Sequence, residues 1–527
     1  MDQPLKSAAS PSEPPPPAET FPNDEPAKRG GGIGWWKRIW HGLWRHREAG
    51  LEATLERLIY HLRQWEERPR PAPPILFAAG WSMATLMTFG VRDAAWQVGR
   101  WLQSQQQADG TVTESHAPEP VFWATAAAAR GWLSALPDLP EFEAPAQAAC
   151  QALRRWITDE GRVLPPRGRD WNYEPESLWH DPPDLTPLLL AGRRWPDTDW
   201  TSAGIRAVEY WLSHGQRRHP AERSSSWVRR ARLYSEWGRR NETGQALQEM
   251  EKRQTSSGAI PEKPGEASVL TTTVLEAAAL WFQYLRPEYG EAALRFAERR
   301  RLPTGGFPPR LAGEKGGDRE EEPLAAKLFL DAVQAEVRCE YQLQLRGTGE
   351  EPLDPEDPRL QLVARFAQAF AEGAVIADLG CGTGRYLRIL AARYPHLQWT
   401  GVDFIPEALH RIPHGIRTVE GSLLRMPVPD RSFHGGFCVD ALSHSLLPRQ
   451  AIAEICRVIR PRGRILVIEP TALPQGAGGK RQQALNPDTL ADWLKPYCSQ
   501  LTFGELTVHH GMMKRTAYVS VFAERKG

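Results

Sequence analysis

The sequence has no paired cysteine pattern. Its six cysteines (Cys150, Cys339, Cys381, Cys438, Cys456 and Cys498) fall at neither metal-ligand nor disulfide spacing. Reduced, buried thiols are expected, and no metal site. Neither sign of charge is in excess: 65 Lys and Arg against 64 Asp and Glu leave a formal net charge of +1. That removes the global electrostatic case for binding nucleic acid. No uninterrupted apolar run is long enough to span a bilayer. The polar, proline-rich start has no signal-peptide character. From residue 50 to about residue 338 no alternating strand pattern of useful length occurs. A cytoplasmic protein of two or three domains is expected from a chain of 527 residues.

What is present is mostly helical. Residues 1–31, rich in Pro, Ala, Ser, Glu and Gly, bury too little apolar surface to offset their ordering entropy and are expected to be disordered. Residues 32–48 place Trp36, Ile39, Trp40, Leu43 and Trp44 at helical spacing, with Lys37, Arg38, Arg45 and Arg47 between them. Such a helix either packs on the helices that follow or lies in an anionic membrane interface. Peripheral contact with the inner membrane face through residues 35–47 therefore stays open. Residues 49–345 read as successive helices, among them Leu51–Trp65, Ala78–Thr88, Arg92–Gln106, Phe122–Leu136, Ala146–Thr158, Thr201–His214, Val269–Leu285 and Ala292–Arg300. Glycine turns followed by a short extended piece recur after Trp101, Trp156, Trp211, Arg253 and Glu298, roughly every 50 residues. That period signals one helical hairpin repeated. The loop of residues 169–182 mixes Trp171, Tyr173 and Trp179 with Asp170, Asn172, Glu174 and His180. Aromatic faces beside polar groups suit sugar rings, and Asn, Tyr and His together suit proton abstraction. An ordinary loop whose aromatics pack inward would read the same.

The stretch from Val375 to Tyr386 is of another kind. An apolar run ends at Asp378, Gly380, Gly382 and Gly384 alternate, and Leu387, Ile389 and Leu390 open a helical pattern. This reads as strand, tight turn and helix, with the strand buried in a parallel sheet and a ligand against the glycine backbone. Asp403 ends a second strand about 20 residues on, where a ribose-binding carboxylate belongs. The turn is Asp-x-Gly-x-Gly-x-Gly and no phosphate-binding lysine follows, which favours S-adenosylmethionine over NAD.

With Gly401–Phe404, Glu420–Phe433, Ala441–His444 and Arg457–Gly463, residues 358–527 resemble the class I S-adenosylmethionine-dependent methyltransferases, in particular the type-11 group. The resemblance implies an α/β Rossmann-like domain with a mostly parallel seven-stranded sheet. It puts Gly380, Cys381 and Gly382 under the methionine end and Asp378 behind the glycine loop. Asp403 would lie on the ribose, Phe404 along the adenine and Asp440 toward the methionine. Ser422 stands where the family usually has an aspartate, so the Ser422 hydroxyl or the Leu423 backbone would meet the adenine amino group. His444 matches a family histidine that touches the cofactor, serves as a base, or merely packs. Glu469 is a second base candidate. The loop of residues 471–482, with Lys480 and Arg481, is either a lid or a connector.

The first helical repeat, Gln106-x-x-Asp109-Gly110, resembles at the level of fold the α/α toroids of terpenoid cyclases, prenyltransferase β subunits and polysaccharide lyases. The cyclase acidic cluster is missing, so cyclase chemistry is not implied. Residues 346–357 read as a proline-stiffened linker. The expectation is a toroid fused to a methyltransferase acting on a small-molecule or glycan-precursor acceptor. Two alternatives stand beside it: a toroid that is itself a lyase, epimerase or cyclase on a polysaccharide or isoprenoid, or one that docks the enzyme to a biosynthetic complex.

Overall fold

The computed structural model describes residues 50–64, 75–113, 121–136, 138–164, 184–214, 223–311, 321–347, 353–471, 484–510 and 514–527. Its first part is helical: α1 (50–64), α2 (Ile75–Thr88), α3 (Arg92–Ser104), α4 (Val121–Ala135), α5 (Glu143–Arg155), α6 (Thr186–Arg194), α7 (Trp200–His214), α8 (Ser224–Glu236), α9 (Arg240–Arg253), α10 (Thr271–Gln283), α11 (Pro287–Glu298) and α12 (Pro323–Gly347). Two kinds of helix alternate. The apolar α2, α4 and α10 are buried around most of their circumference, whereas α3, α5 and α11 bury one stripe. A helix apolar all round belongs inside and an amphipathic one outside. The alanine-rich faces let the inner helices approach closely: a Cβ on Gly80 of α2 would sit 2.3 Å from the Ala127 carbonyl carbon of α4.

Contacts run from α2 to α4, α4 to α6, α8 to α10 and α10 to α12, and α12 packs back on α2. The outer layer is propped by the repeated glycine turns. Gly110, Gly161, Gly258 and Gly305 all have φ between +86° and +92°. A Cβ on each would strike the backbone of the neighbouring outer helix, at Ala148, Arg206, Ala292 and Ala53 respectively. No other residue fits there, because both the backbone conformation and the space forbid a side chain. The short extended pieces pair as single bridges, Gln106 with Val112 and Ile157 with Val163. The last of these turns reaches α1, where Thr54 Oγ1 donates to the Gly305 carbonyl at 2.8 Å.

The second part begins with α13 (Pro358–Gln368) and forms a seven-stranded sheet in the order β3-β2-β1-β4-β5-β7-β6. The strands are β1 (Val375–Leu379), β2 (Gln398–Asp403), β3 (Arg417–Glu420), β4 (Phe433–Val439), β5 (Ile459–Pro470), β6 (Cys498–His510) and β7 (Lys514–Arg525). All pairs are parallel except those of β7, which runs antiparallel between β5 and β6. Helices α14 (Arg385–Arg393), α15 (Pro406–Leu409), α16 (Pro448–Val458) and α17 (Pro487–Leu494) complete it. Strand order reverses between β1 and β4, which opens a crevice at their carboxyl ends.

The two parts share one apolar core. Leu86 and Phe89 of the helical part belong to the same buried cluster as Leu424, Met426 and Leu447 of the sheet part. Polar links frame it. Arg425 Nε donates to Asp138 at 2.7 Å, and Gln450 Nε2 to the Gly90 carbonyl at 3.0 Å. Gln342 of α12 donates to Glu407 at 2.8 Å. Among the described residues no helix is long and apolar enough to cross a membrane.

Candidate active site

The β1–α14 turn is fixed by its own backbone. Gly380 and Cys381 both donate to the Val402 carbonyl, at 2.8 and 3.0 Å. Gly380 has φ +82° and a Cβ there would lie 2.4 Å from that of Ala441; at Gly382, φ +53°, a Cβ would meet nothing within 4 Å. One glycine is demanded by crowding, and the other leaves bare backbone facing a cleft of about 570 Å³. Asp403 braces the same turn, accepting from Gly382 N at 2.8 Å and from Ile405 N at 3.0 Å. Each carboxylate oxygen still has a lone pair for a ligand.

The cleft brings together every cofactor residue expected from the sequence. Asp378, Gly380, Cys381, Gly382, Asp403 and Phe404 line one side, and Ser422, Leu423 and Asp440 the other, with His444 beside them. Its electrostatics are those of a site for a cation. Burial pushes Asp378, Asp403 and Asp440 above the usual carboxylate range, and the Asp403 charge pushes Asp378 further. Asp378 Oδ2 and Asp440 Oδ1 are buried without a hydrogen-bond partner among the described residues. Asp440 stands at φ +54°, a conformation costly for a residue with a Cβ. It is held there through its other oxygen by Arg359, which also donates to Tyr518 Oη at 2.9 Å and to Asp357 at 2.6 Å.

Ser422 does not stand in for the missing aspartate in the plain sense. Its Oγ accepts from Leu424 N and Arg425 N, both at 3.2 Å, and so shapes the turn after β3. His444 is on the cleft, and desolvation holds its imidazole down at about 4, neutral at ordinary pH. Glu469 is not on the cleft. It is fully buried under the loop after β4, with Oε1 accepting from Ala441 N and Leu442 N at 3.0 and 2.8 Å and Oε2 from Ser443 N at 3.0 Å. A carboxylate spent on three backbone donors has no reach to an acceptor, so its part is to hold the loop that carries Asp440 and His444. Trp171, Tyr173, Trp179 and His180, the loop of Lys480 and Arg481, and residues 35–47 lie outside the described residues.

The helical part supplies a wall that the sequence did not reveal. Thr88 and Phe89 from the end of α2, with Gln334, Val337, Tyr341 and Leu345 from α12, line the cleft. The Tyr341 ring stands edge-on between Phe404, at 5.6 Å between centroids, and His444, at 5.4 Å. Helical spacing alone marks Tyr341 as a buried stripe residue, and only the docking of α12 against the segment after β2 gives it this place.

Residues 377–467 match a family model described as a methyltransferase domain. The C-terminal part of the chain thus carries a methyltransferase domain. The chain is 33% identical over 101 residues to a demethylmenaquinone methyltransferase of Deinococcus radiodurans, covering 18% of this chain and 42% of that protein. It is 32% identical over 108 residues to the O-methyltransferase cnsE of Penicillium expansum, covering 19% and 39%. The chain thus spans about two fifths of the length of these relatives. Among solved structures, a Burkholderia thailandensis 1,6-didemethyltoxoflavin-N1-methyltransferase with bound S-adenosylhomocysteine overlaps at 17% identity and a TM-score of 0.27, over 33% of this chain and 80% of that one. The helical part lies outside the matched residues 377–467.

Proposed function

We propose that this protein is an S-adenosylmethionine-dependent methyltransferase for a small-molecule acceptor, and that its helical part, read as an α/α toroid, presents that acceptor. The supporting observation is the shared cleft: the methyltransferase domain gives the glycine turn and three acids, and α2 and α12 give the opposite wall. S-adenosylmethionine supplies an already activated sulfonium methyl. Asp403 would hold the ribose hydroxyls, Gly380 and Gly382 the backbone side of the methionine, and Asp378 and Asp440 its ammonium. Phe404 would lie on the adenine. The protein's remaining task is to align the acceptor and keep water out. His444, neutral and beside Tyr341, would accept a hydrogen bond from the incoming group.

Three acids of raised affinity for protons make cofactor binding pH-dependent. A cationic ligand favours their ionised form, so S-adenosylmethionine will bind more weakly as pH falls from neutral toward the ordinary carboxylate range. S-adenosylhomocysteine keeps the ammonium and the ribose, and will weaken in parallel. Calorimetric titrations of both across that range check this, and affinities that stay flat with pH would remove the carboxylates from the cofactor's ammonium end. The function itself is tested by incubating the full chain with methyl-tritiated S-adenosylmethionine and a small-molecule cell extract. Label should enter a low-mass product with the wild type and not with Asp403→Ala. Failure of the folded wild type to bind S-adenosylmethionine would overturn the assignment.

A further inference from the structure

The cofactor cleft continues into a second cavity of about 850 Å³ between the helical part and the methyltransferase domain; Thr88, Gln334, Phe404 and Ser422 border both. Its helical side is built around Trp81 of α2. The guanidinium groups of Arg130 and Arg232 and the ammonium of Lys327 lie 5.0, 4.2 and 4.6 Å from the centroid of that one indole. They come from α4, α8 and α12. Each is answered by acid: Arg130 by Asp184 at 3.2 Å and by Glu236, Arg232 by Glu276, and Lys327 by Asp331 at 2.5 Å. Thr186 ties Glu236 to α6, and Thr85 donates to Asp331 at 2.7 Å. On the methyltransferase side Arg425, Glu420 and Ser422 line the same space.

Three cations and four acids converging in the middle of a helical layer are not what stability alone requires. Apolar residues of similar size often serve as well or better, because each buried ion costs several kcal/mol to desolvate. The pairs face a cavity, and their chemistry limits what can enter. An anion would meet Glu236, Glu276 and Asp331, and a cation would meet Arg130, Arg232 and Lys327. An isoprenoid or acyl chain would strip water from all of them and return no hydrogen bonds. A neutral hydroxyl donates to a carboxylate and accepts from the guanidinium beside it, and so suits a wall where the two alternate. The volume lies within the ~300–1,000 Å³ of ordinary ligand clefts.

We infer that this chamber binds a neutral polyhydroxylated molecule, a saccharide or similar cyclic polyol, and that it holds the far part of the methyl acceptor. The second half of the inference rests on the methyl-transfer reading; the first rests on the ion pairs alone. Cavity continuity then leads the acceptor past Thr88 and Gln334 toward His444.

The test is saturation-transfer NMR on the full chain with cellotriose, maltotriose and farnesol as probes. At least one trisaccharide should receive saturation, and farnesol should not. The double variant Arg232→Met/Glu276→Met removes one pair without orphaning either charge and should weaken saccharide binding by about tenfold or more. The near-isosteric Glu276→Gln, a gentler change should the double variant fold poorly, should weaken it in the same direction. S-adenosylmethionine binding by calorimetry should be unchanged in both, because neither residue lines the cofactor cleft. Saccharide binding unaffected by either variant, a preference for farnesol, or no saturation of either trisaccharide would overturn the inference. Loss of the methyl-transfer reading would show separately, as no S-adenosylmethionine binding by the wild type.

Discussion

Asp403→Ala is expected to reduce affinity for S-adenosylmethionine by two to three orders of magnitude, in a chain that stays folded. The carboxylate would accept from both ribose hydroxyls, and hydrogen bonds to a charged group are worth about 1.5–3 kcal/mol each. It also accepts from Gly382 N and Ile405 N. The substitution therefore frees the turn as well as emptying the ribose contact. Asp403→Asn separates the two effects. Its amide oxygen can still accept from one of these backbone donors, while its NH2 is turned toward the other N–H and can no longer accept from a ribose hydroxyl. An intermediate loss, about tenfold, is expected. Titration calorimetry on the three proteins, with circular dichroism to verify folding, decides. An Asp403→Ala chain that binds like the wild type would place the ribose elsewhere in the cleft.

Glu469→Gln is expected to act on stability first and on turnover through the loop it holds. All three of its backbone partners are donors, so an amide must turn its NH2 toward at least one N–H, as the protonated acid must turn its O–H. Leaving such a buried group unpaired costs about 1–3 kcal/mol. The pH dependence is the sharper signature. Burial, reinforced by the Asp440 charge, raises the Glu469 carboxyl from 4.5 to about 8. Between those values the folded chain holds a proton that the unfolded chain has released. The wild type therefore loses stability as pH rises from 4.5 toward 8, by at most about 1.4 kcal/mol per pH unit. Glutamine does not titrate, so that part of the slope disappears. The variant therefore lies close to the wild type at the acid end of this window and becomes the more stable chain toward its upper end. Urea melts near pH 5 and near pH 8 check this. A constant difference would mean that Glu469 stays ionised throughout.

Much of the methyltransferase domain was legible because its strands are short apolar runs that end in chemistry. The run into Asp378 and the strand Gln398–Asp403 each lead to an acid; the structure carries the first one residue further, to Leu379, and gives the second with the same bounds. The helices α8 and α9 were not legible. In α8 three arginines interrupt the apolar stripe. In α9 the buried Thr243, Ala246, Leu247 and Met250 do keep helical spacing, but they are small or few among charges. What no pattern could reveal is a contact between distant segments. Tyr341 and Thr88 reach the cleft, and Arg130, Arg232 and Lys327 meet on Trp81, because of docking between helices that are not neighbours in sequence. Glu469 was misjudged as a base for a related reason: an acid at a strand end looks the same in sequence whether it meets a substrate or a row of backbone donors.

The helical layer closes through residues far apart in the chain. Thr54 meets Gly305, and α12 packs on α2. Closing so long a loop is entropically late, and chains dominated by such distant pairings fold slowly. The helix that makes the closure is the same α12 that carries Gln334 and Tyr341 to the cofactor. Completion of the layer and completion of the cleft are therefore one kinetic event, and a newly made chain becomes competent for its ligands only when its first and last helices have found each other.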